Sequence, residues 1–459
     1  MSAATVVFLL VLGIALIALP RLWAPLPLLM GTCYITLGQG IAIGPFSFTF
    51  LRLLVLFAFI RIIARGERPL TGLIGLDKVV IAWAAWFVAV SFFHPEPLAT
   101  LVFHLGLVYN TVGVYFALRC ICIGREHSLN LIRLLALVLA PVALEMVGEH
   151  VLRRNLFAVF GGVDADPVIR LGKLRAQGPF SHPILAGTVG GVCLPMMIAI
   201  WRIYKVPAMI GVASCLLMVV TSMSSGPIMS AVFGLAAVAF WPGRHHMAKV
   251  RVAAVLLYIA LSLTMKAKPY YLIARIDLTG SSTGHHRAAL MESAGKHLDE
   301  WWFAGTDYTR HWMPTGVSWS EDHTDITNHY LGQGVKGGLL LMSLFIGMFV
   351  CAFRNVGITI RRIEAMGTES AFLPWCIGCC LFSHLATCIS VAYFDQSIVF
   401  FNATIALSAC LRAGVENADE SDFASASAIS DLPGPSPSAS FDPGGSVSDS
   451  NQRYPELST

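Results

Sequence analysis

The chain has 459 residues, 56% of them apolar and only 13% charged, with 31 Lys and Arg against 27 Asp and Glu for a net charge of +4. So apolar a composition excludes an ordinary soluble domain, and so small a positive balance, spread over short connections, leaves no footprint for nucleic acid. Eleven cysteines do not make a disulfide frame, because Cys33, Cys193, Cys215, Cys351, Cys388 and Cys410 fall inside or at the ends of apolar runs. Cys376, Cys379 and Cys380 have the outline of a metal motif, but in a hydrophobic helix they read as small residues at a helix contact.

Apolar runs recur from end to end and predict an all-α polytopic membrane protein of about 12–13 transmembrane helices within residues 1–411. The spans fall near 3–19, 24–43, 48–64, 79–93, 99–118, 129–147, 183–200, 206–223, 226–241, 252–265, 335–353, 371–392 and 397–411. No basic residue precedes the first run and no small-residue cleavage site follows it, so it reads as a span rather than a signal peptide. Alternate connections collect the cations: Arg61, Arg65, Arg68 and Lys78, then Arg119, Arg125 and Arg133, Arg202 with Lys205, Arg244 to Arg251, and Arg354 to Arg362. By the positive-inside bias that side is the cytoplasm of an inner membrane, and segments 148–182 and 266–334 lie on the opposite side. The tail, 412–459, is rich in Ser, Pro, Gly and Asp and is expected to be disordered and cytoplasmic.

In segment 148–182 five cations (Arg153, Arg154, Arg170, Lys173, Arg175) outnumber three acids (Glu149, Asp164, Asp166). Positive charge on this face runs against the bias, so Arg170, Lys173 and Arg175 are expected to hold an anion. Guanidinium groups match phosphate oxygens in bidentate geometry, which makes a lipid-carried diphosphate the natural tenant; headgroup contact or plain solvation is the competing reading. Gly178-Pro179-Phe180 predicts a tight turn delivering His182 and Pro183 to the next helix, where His182 either faces a ligand as a donor or caps the local backbone.

Segment 266–334 holds six of the fourteen histidines: His285, His286, His297, His311, His323 and His329. Leu290, Ala294, Leu298 and Trp301 at helical spacing predict a helix from His286 to Trp302 along the membrane surface, its Trp301-Trp302-Phe303 end at the interface. Arg287 in the first turn opposes the helix dipole, so an anionic partner is expected for it. From Ser320 to Leu331, His323 or His329 is a natural general base for a sugar hydroxyl, oriented by Asp322 or Asp325. A solvated loop, or a divalent-metal site built from His323 with Asp307, Glu321, Asp322 or Asp325, competes with that reading, although no HExxH spacing supports the metal. Arg52, in the third span, belongs either to a lipid-phosphate path or to a snorkelling side chain.

Arg175-x-x-Gly178-Pro179-Phe180-x-His182-Pro183-x-x-x-Gly187, the outer helix opened by Arg287 and ended by Trp302-Phe303-Ala304-Gly305, and Asn328-His329-Tyr330-Leu331 before a Gly-rich span together resemble the bacterial O-antigen ligase and polymerase superfamily. The resemblance covers residues 45–411 and implies a GT-C-like fold with a large periplasmic loop containing amphipathic helices. It implies an inverting glycosyltransferase that moves a glycan from an undecaprenyl-diphosphate carrier to a sugar hydroxyl of another glycan or of lipid A core, with no cofactor and no essential metal. Arg175 and Arg287, assisted by Arg170, Lys173 and Arg52, then bind the diphosphate; His323 or His329 is the base; His182, Asp325, Asn328 and Tyr330 contact donor or acceptor. Partners implied besides the bilayer are chain-length or export proteins.

Two departures stand out. Ser224-Ser225-Gly226 occupies the turn where relatives show Ser-Arg-Gly, and matching Asn328 and Leu331 to the family's His-Asn-x-x-Leu puts Thr327 where the His belongs. The missing Arg points to a divergent branch such as the exopolysaccharide polymerases, and the displaced His leaves the base open between His323 and His329. The rival from another class is a transporter or flippase of lipid-linked oligosaccharide, compatible with Gly-rich spans and Arg52. Against it stand the lack of an internal repeat and the gathering of polar chemistry in one outer segment rather than at the midplane. A non-catalytic scaffold with a glycan-binding loop is the third reading.

Overall fold

The computed structural model describes residues 1–36, 38–275, 284–367 and 370–430, with side chains described to 418. The apolar runs become helices: α1 (Ala3–Ala18), α2 (Pro25–Tyr34), α3 (Phe50–Arg65), α4 (Gly75–Val90), α5 (Pro97–Ile121), α6 (Gly124–Leu152), α7 (Pro183–Ala199), α8 (Lys205–Thr221), α9 (Ser225–Ala239), α10 (Met247–Thr264), α11 (Gly284–Lys296), α12 (Leu298–Trp301), α13 (His329–Met366), α14 (Phe372–Thr387) and α15 (Ser397–Ser430). Two antiparallel hairpins interrupt them, β1 (Gly40–Ile43) with β2 (Phe46–Thr49), and β3 (Val168–Arg170) with β4 (Lys173–Arg175). Among the described residues, six helices are long and apolar enough to cross a membrane, and five shorter apolar helices accompany them. The chain is an all-α, multi-pass membrane protein. Residues Met1–Asn417 form one compact unit and Ala418–Thr459 a second.

The packing follows from small residues where helices meet. α7 is buried along almost its whole length. A Cβ on Gly190 would meet the Cys215 carbonyl at 2.6 Å and one on Gly191 the Pro227 carbonyl at 2.9 Å, so α8 and α9 lie directly against its backbone. Cys376, Cys379 and Cys380 are buried in α14 as free thiols. α10 has no buried residue, and Val255, Leu256, Leu257 and Tyr258 are all exposed. Apolar on every side, such a helix needs hydrocarbon around it.

Three expectations change. The run 24–43 is not one span: Pro25 starts the ten-residue α2, and the chain then turns into the β1–β2 hairpin. The outer helix breaks at His297 into α11 and α12, and Trp301 is buried, its indole N–H donating to the Ala294 carbonyl at 2.9 Å. Only Trp302 and Phe303 remain exposed, near Phe93, whose ring centroid is 5.2 Å from that of Phe303. Finally, α15 continues past Arg412 to Ser430; the expectation of disorder for 431–459 lies outside the described residues.

The glycines after Asn328 serve docking. α13 is broken at Gly337 and Gly338, the latter at φ +75°. Residues 302–306 enter the break: the Leu339 N–H donates to the Trp302 carbonyl at 2.7 Å and the Thr306 N–H to the Val335 carbonyl at 2.8 Å. A side chain at Gly338 would overlap the Phe303 carbonyl.

Alternate connections of the compact unit gather at two ends. At one, cations meet carboxylates: Arg61 with Glu67 at 2.7 Å, Arg119 with Asp77 at 3.5 Å, Arg244 with Glu364 at 2.7 Å, Arg412 with Glu416 at 2.9 Å. The other end carries 148–182 and residues of 284–334, where Ser181 bonds to Asp395 and His94 to Asp307.

Candidate functional site

The β3–β4 hairpin sorts its charges by strand alternation. Arg170 pairs with Lys173 and Val168 with Arg175, so Arg170, Lys173 and Arg175 share one face while Ile169 and Leu174 share the other. Arg175 is buried at 4% exposure. Its Nη2 donates to Ser224 Oγ at 2.6 Å and its Nε to the Ser222 carbonyl at 3.4 Å, so it reaches the α8–α9 turn where a cation was expected and found missing. These partners are neutral. Burial, and then the neighbouring Arg170, push the Arg175 guanidinium down to about 10, which leaves it charged near neutral pH.

The turn after β4 is pinned from three elements. Glu149 of α6 accepts from the N–H groups of Gln177 and Gly178 at 3.0 and 3.1 Å, Asn155 Nδ2 donates to the Gly178 carbonyl at 2.8 Å, and Gln396 Nε2 to the Pro179 carbonyl at 2.8 Å. Asp395, buried and with its carboxyl pushed up by that burial, accepts from the Ser181 N–H at 3.0 Å and the Ser397 N–H at 2.8 Å. His182 is thereby set as the N-cap of α7, its Nδ1 accepting from the Ile184 N–H at 3.1 Å. Burial, then Arg175 and Arg170, hold its pKa down to about 4, so the ring is neutral with its proton on Nε2, a donor standing beside cations.

Arg287 joins this cluster from α11. It is 9% exposed, and its Nε is buried without a hydrogen-bond partner. Burial lowers its proton affinity, the charge of Asp325 partly restores it and that of Arg170 lowers it again, so both are within electrostatic reach of it. Among the described residues, no carboxylate forms an ion pair with Arg170, Arg175 or Arg287. Lys173 stands exposed at the hairpin.

Other expected residues are placed differently. His329 is buried at the start of α13, its ring 5.0 Å from that of Phe345 and 5.3 Å from that of Tyr393; its Nδ1 accepts from the Tyr393 N–H at 3.0 Å and its Nε2 lies 3.4 Å from Gln333 Nε2. Asn328 caps α13, accepting from the Leu331 N–H at 3.1 Å, and the Tyr330 hydroxyl donates to the Leu385 carbonyl at 2.9 Å. All three hold α13 in place. Arg52 is occupied on α3 by Asn110 at 3.3 Å and by the Ser47 carbonyl.

His323 is half-buried in the outer segment, its Nδ1 2.7 Å from Ser320 Oγ and its ring 5.3 Å from that of Trp319. Asp307 lies near it and accepts from His94 at 2.9 Å; that hydrogen bond raises His94 and, with the positive charge nearby, holds Asp307 below the ordinary carboxylate range. The His94–Asp307 pair escaped sequence reasoning because the partners are 213 residues apart, although a His opening the short outer connection His94–Pro97 was the available signal.

The chain matches no family model and no curated protein.

Proposed function

We propose that this chain is an inner-membrane glycosyltransferase of the O-antigen ligase and polymerase type, transferring a glycan from an undecaprenyl-diphosphate carrier to a sugar hydroxyl on the periplasmic side. In this reading 12 or 13 helical segments cross the membrane in a GT-C-like arrangement, the end bearing segments 148–182 and 266–334 faces the periplasm, and the tail is cytoplasmic. The carrying observation is that Arg170, Arg175 and Arg287, buried or half-buried, form no ion pair with a carboxylate among the described residues, with Asp325 offsetting only part of the charge at Arg287. An uncompensated buried charge costs several kcal/mol. A site built of three such groups is completed by a multiply charged anion, and a diphosphate fits the guanidinium geometry.

The diphosphate sits against Arg175 and Arg287, with Arg170 adding field and the His182 Nε2–H a neutral donor. The acceptor oxygen attacks the anomeric carbon from the face opposite the carrier. The new C–O bond forms as the bond from carbon to phosphate oxygen breaks, with inversion; the electron pair leaves on undecaprenyl diphosphate, whose growing charge the arginines stabilise. The acceptor proton passes to His323, the accessible one of the two candidate bases. The acceptor is a growing glycan in the exopolysaccharide reading and lipid A core in the ligase reading.

The test is purified protein with carrier-linked glycan and acceptor. Release of undecaprenyl diphosphate with growth of the glycan is the expected result. Movement of the carrier across vesicles without bond formation overturns the enzyme and leaves a flippase.

A further inference from the structure

We infer that His297, Glu300 and His311 form a binding site for one divalent ion of the zinc class. It lies apart from the arginine cluster's ligands in sequence and does not depend on glycosyl transfer. The three meet where α11 ends, α12 begins and the 3-10 turn Arg310–Trp312 folds back onto them. His297 Nδ1 and His311 Nε2 both bond to one oxygen, Glu300 Oε1, at 2.8 and 2.9 Å. The three donor atoms lie within 4.8 Å of one another.

Zinc bound at about 2.0–2.2 Å holds tetrahedral ligand atoms roughly 3.4 Å apart, so small side-chain shifts let an ion take the place of the protons now bridging the rings to the carboxylate. Neighbours fix each ligand in advance. Trp312 Nε1 donates to the other carboxylate oxygen, Glu300 Oε2, at 2.9 Å. The His297 ring lies parallel to Trp312 (9°, centroids 6.0 Å apart) and the His311 ring parallel to Tyr308 (13°, 5.0 Å). This is the supporting shell that orients metal ligands. The side chains are 32%, 30% and 34% exposed, which leaves a path in and room for water as a fourth ligand. Two imidazoles and one carboxylate suit zinc, whereas calcium and magnesium take oxygen ligands throughout. An ion here staples α12 to the turn at Arg310–Trp312 and so braces the stretch bearing Asp307 and His323.

The experiment uses the full chain in detergent, its affinity tag removed and the protein stripped with EDTA. Titration with Zn2+ by calorimetry is expected to give about one saturable equivalent, and Co2+ the visible absorption of a four-coordinate N/O site. His311→Ala and Glu300→Gln should each weaken binding by about 10-fold or more, while His245→Ala, at the other end of the bundle, leaves it unchanged. Zn2+ should also slow proteolysis between 297 and 325 in the wild type and not in His311→Ala. Absence of saturable binding overturns the site, as does an equivalent retained undiminished in both variants.

Discussion

The two ends of the bundle treat buried arginine in opposite ways. Arg61, fully buried, donates from Nε and Nη2 to Glu67 and from Nη1 to the Leu16 and Leu19 carbonyls, both at 2.7 Å. Arg119 sits against Asp77, which also accepts from the Tyr115 hydroxyl at 2.6 Å. At the opposite end Arg175 has only serine oxygen and backbone partners, and Arg287 forms no ion pair with a carboxylate among the described residues. A pair closed by the protein's own carboxylate is architecture. Cations without such a pair at similar burial are what the proposed anion site is built from.

The same substitution at each end breaks or sustains that contrast. Arg61→Met strands Glu67 and should lower stability in detergent by about 3–5 kcal/mol, read as a large fall in melting temperature. Arg175→Met and Arg287→Met should leave melting unchanged or raise it, because each removes an uncompensated charge, while transfer falls by about 10²–10³-fold. Inorganic diphosphate should raise the melting temperature of the wild type and not of Arg287→Met. If the open-end variants instead melt early with transfer intact, the two ends are alike.

The histidines give a smaller contrast. His323→Ala is expected to cost about 10²-fold in turnover with an unchanged melt. His329→Ala empties a buried position and leaves the Tyr393 N–H unpaired, costing about 1–3 kcal/mol of stability. Smallest is the acid dependence of His182. Its pKa is about 4 in the fold against 6.5 ordinarily, so the folded state favours the neutral ring. That contribution is complete above pH 6.5 and is lost as pH falls through 4. His182→Asn keeps an N-cap and takes up no proton, so its melting curve against pH should be flatter over this window.

The spans were legible because apolar runs have few alternatives. The hairpins were not: β3 and β4 have three residues each, and Leu171-Gly172 at their turn lacks the usual Asn-Gly, with Leu171 itself at φ +50°. Arg175 and Arg287 were read as anion ligands from charge and topology, and in the fold both feel the charge of Arg170. What no local pattern carried was depth. His329 and His323 look alike in sequence, and one of them is buried by Phe345 of its own helix and by the return of the chain at Tyr393, 64 residues on.

The joint at Gly338 has a consequence for how this protein can change. Residues 302–306 are fastened to α13 by carbonyl and amide atoms, which every amino acid but proline supplies. The joint therefore does not depend on which side chains stand at 302 and 303, while Gly338, against which they dock, has no substitute to offer. Over generations the side chains of this joint can change, provided that one missing β-carbon stays missing.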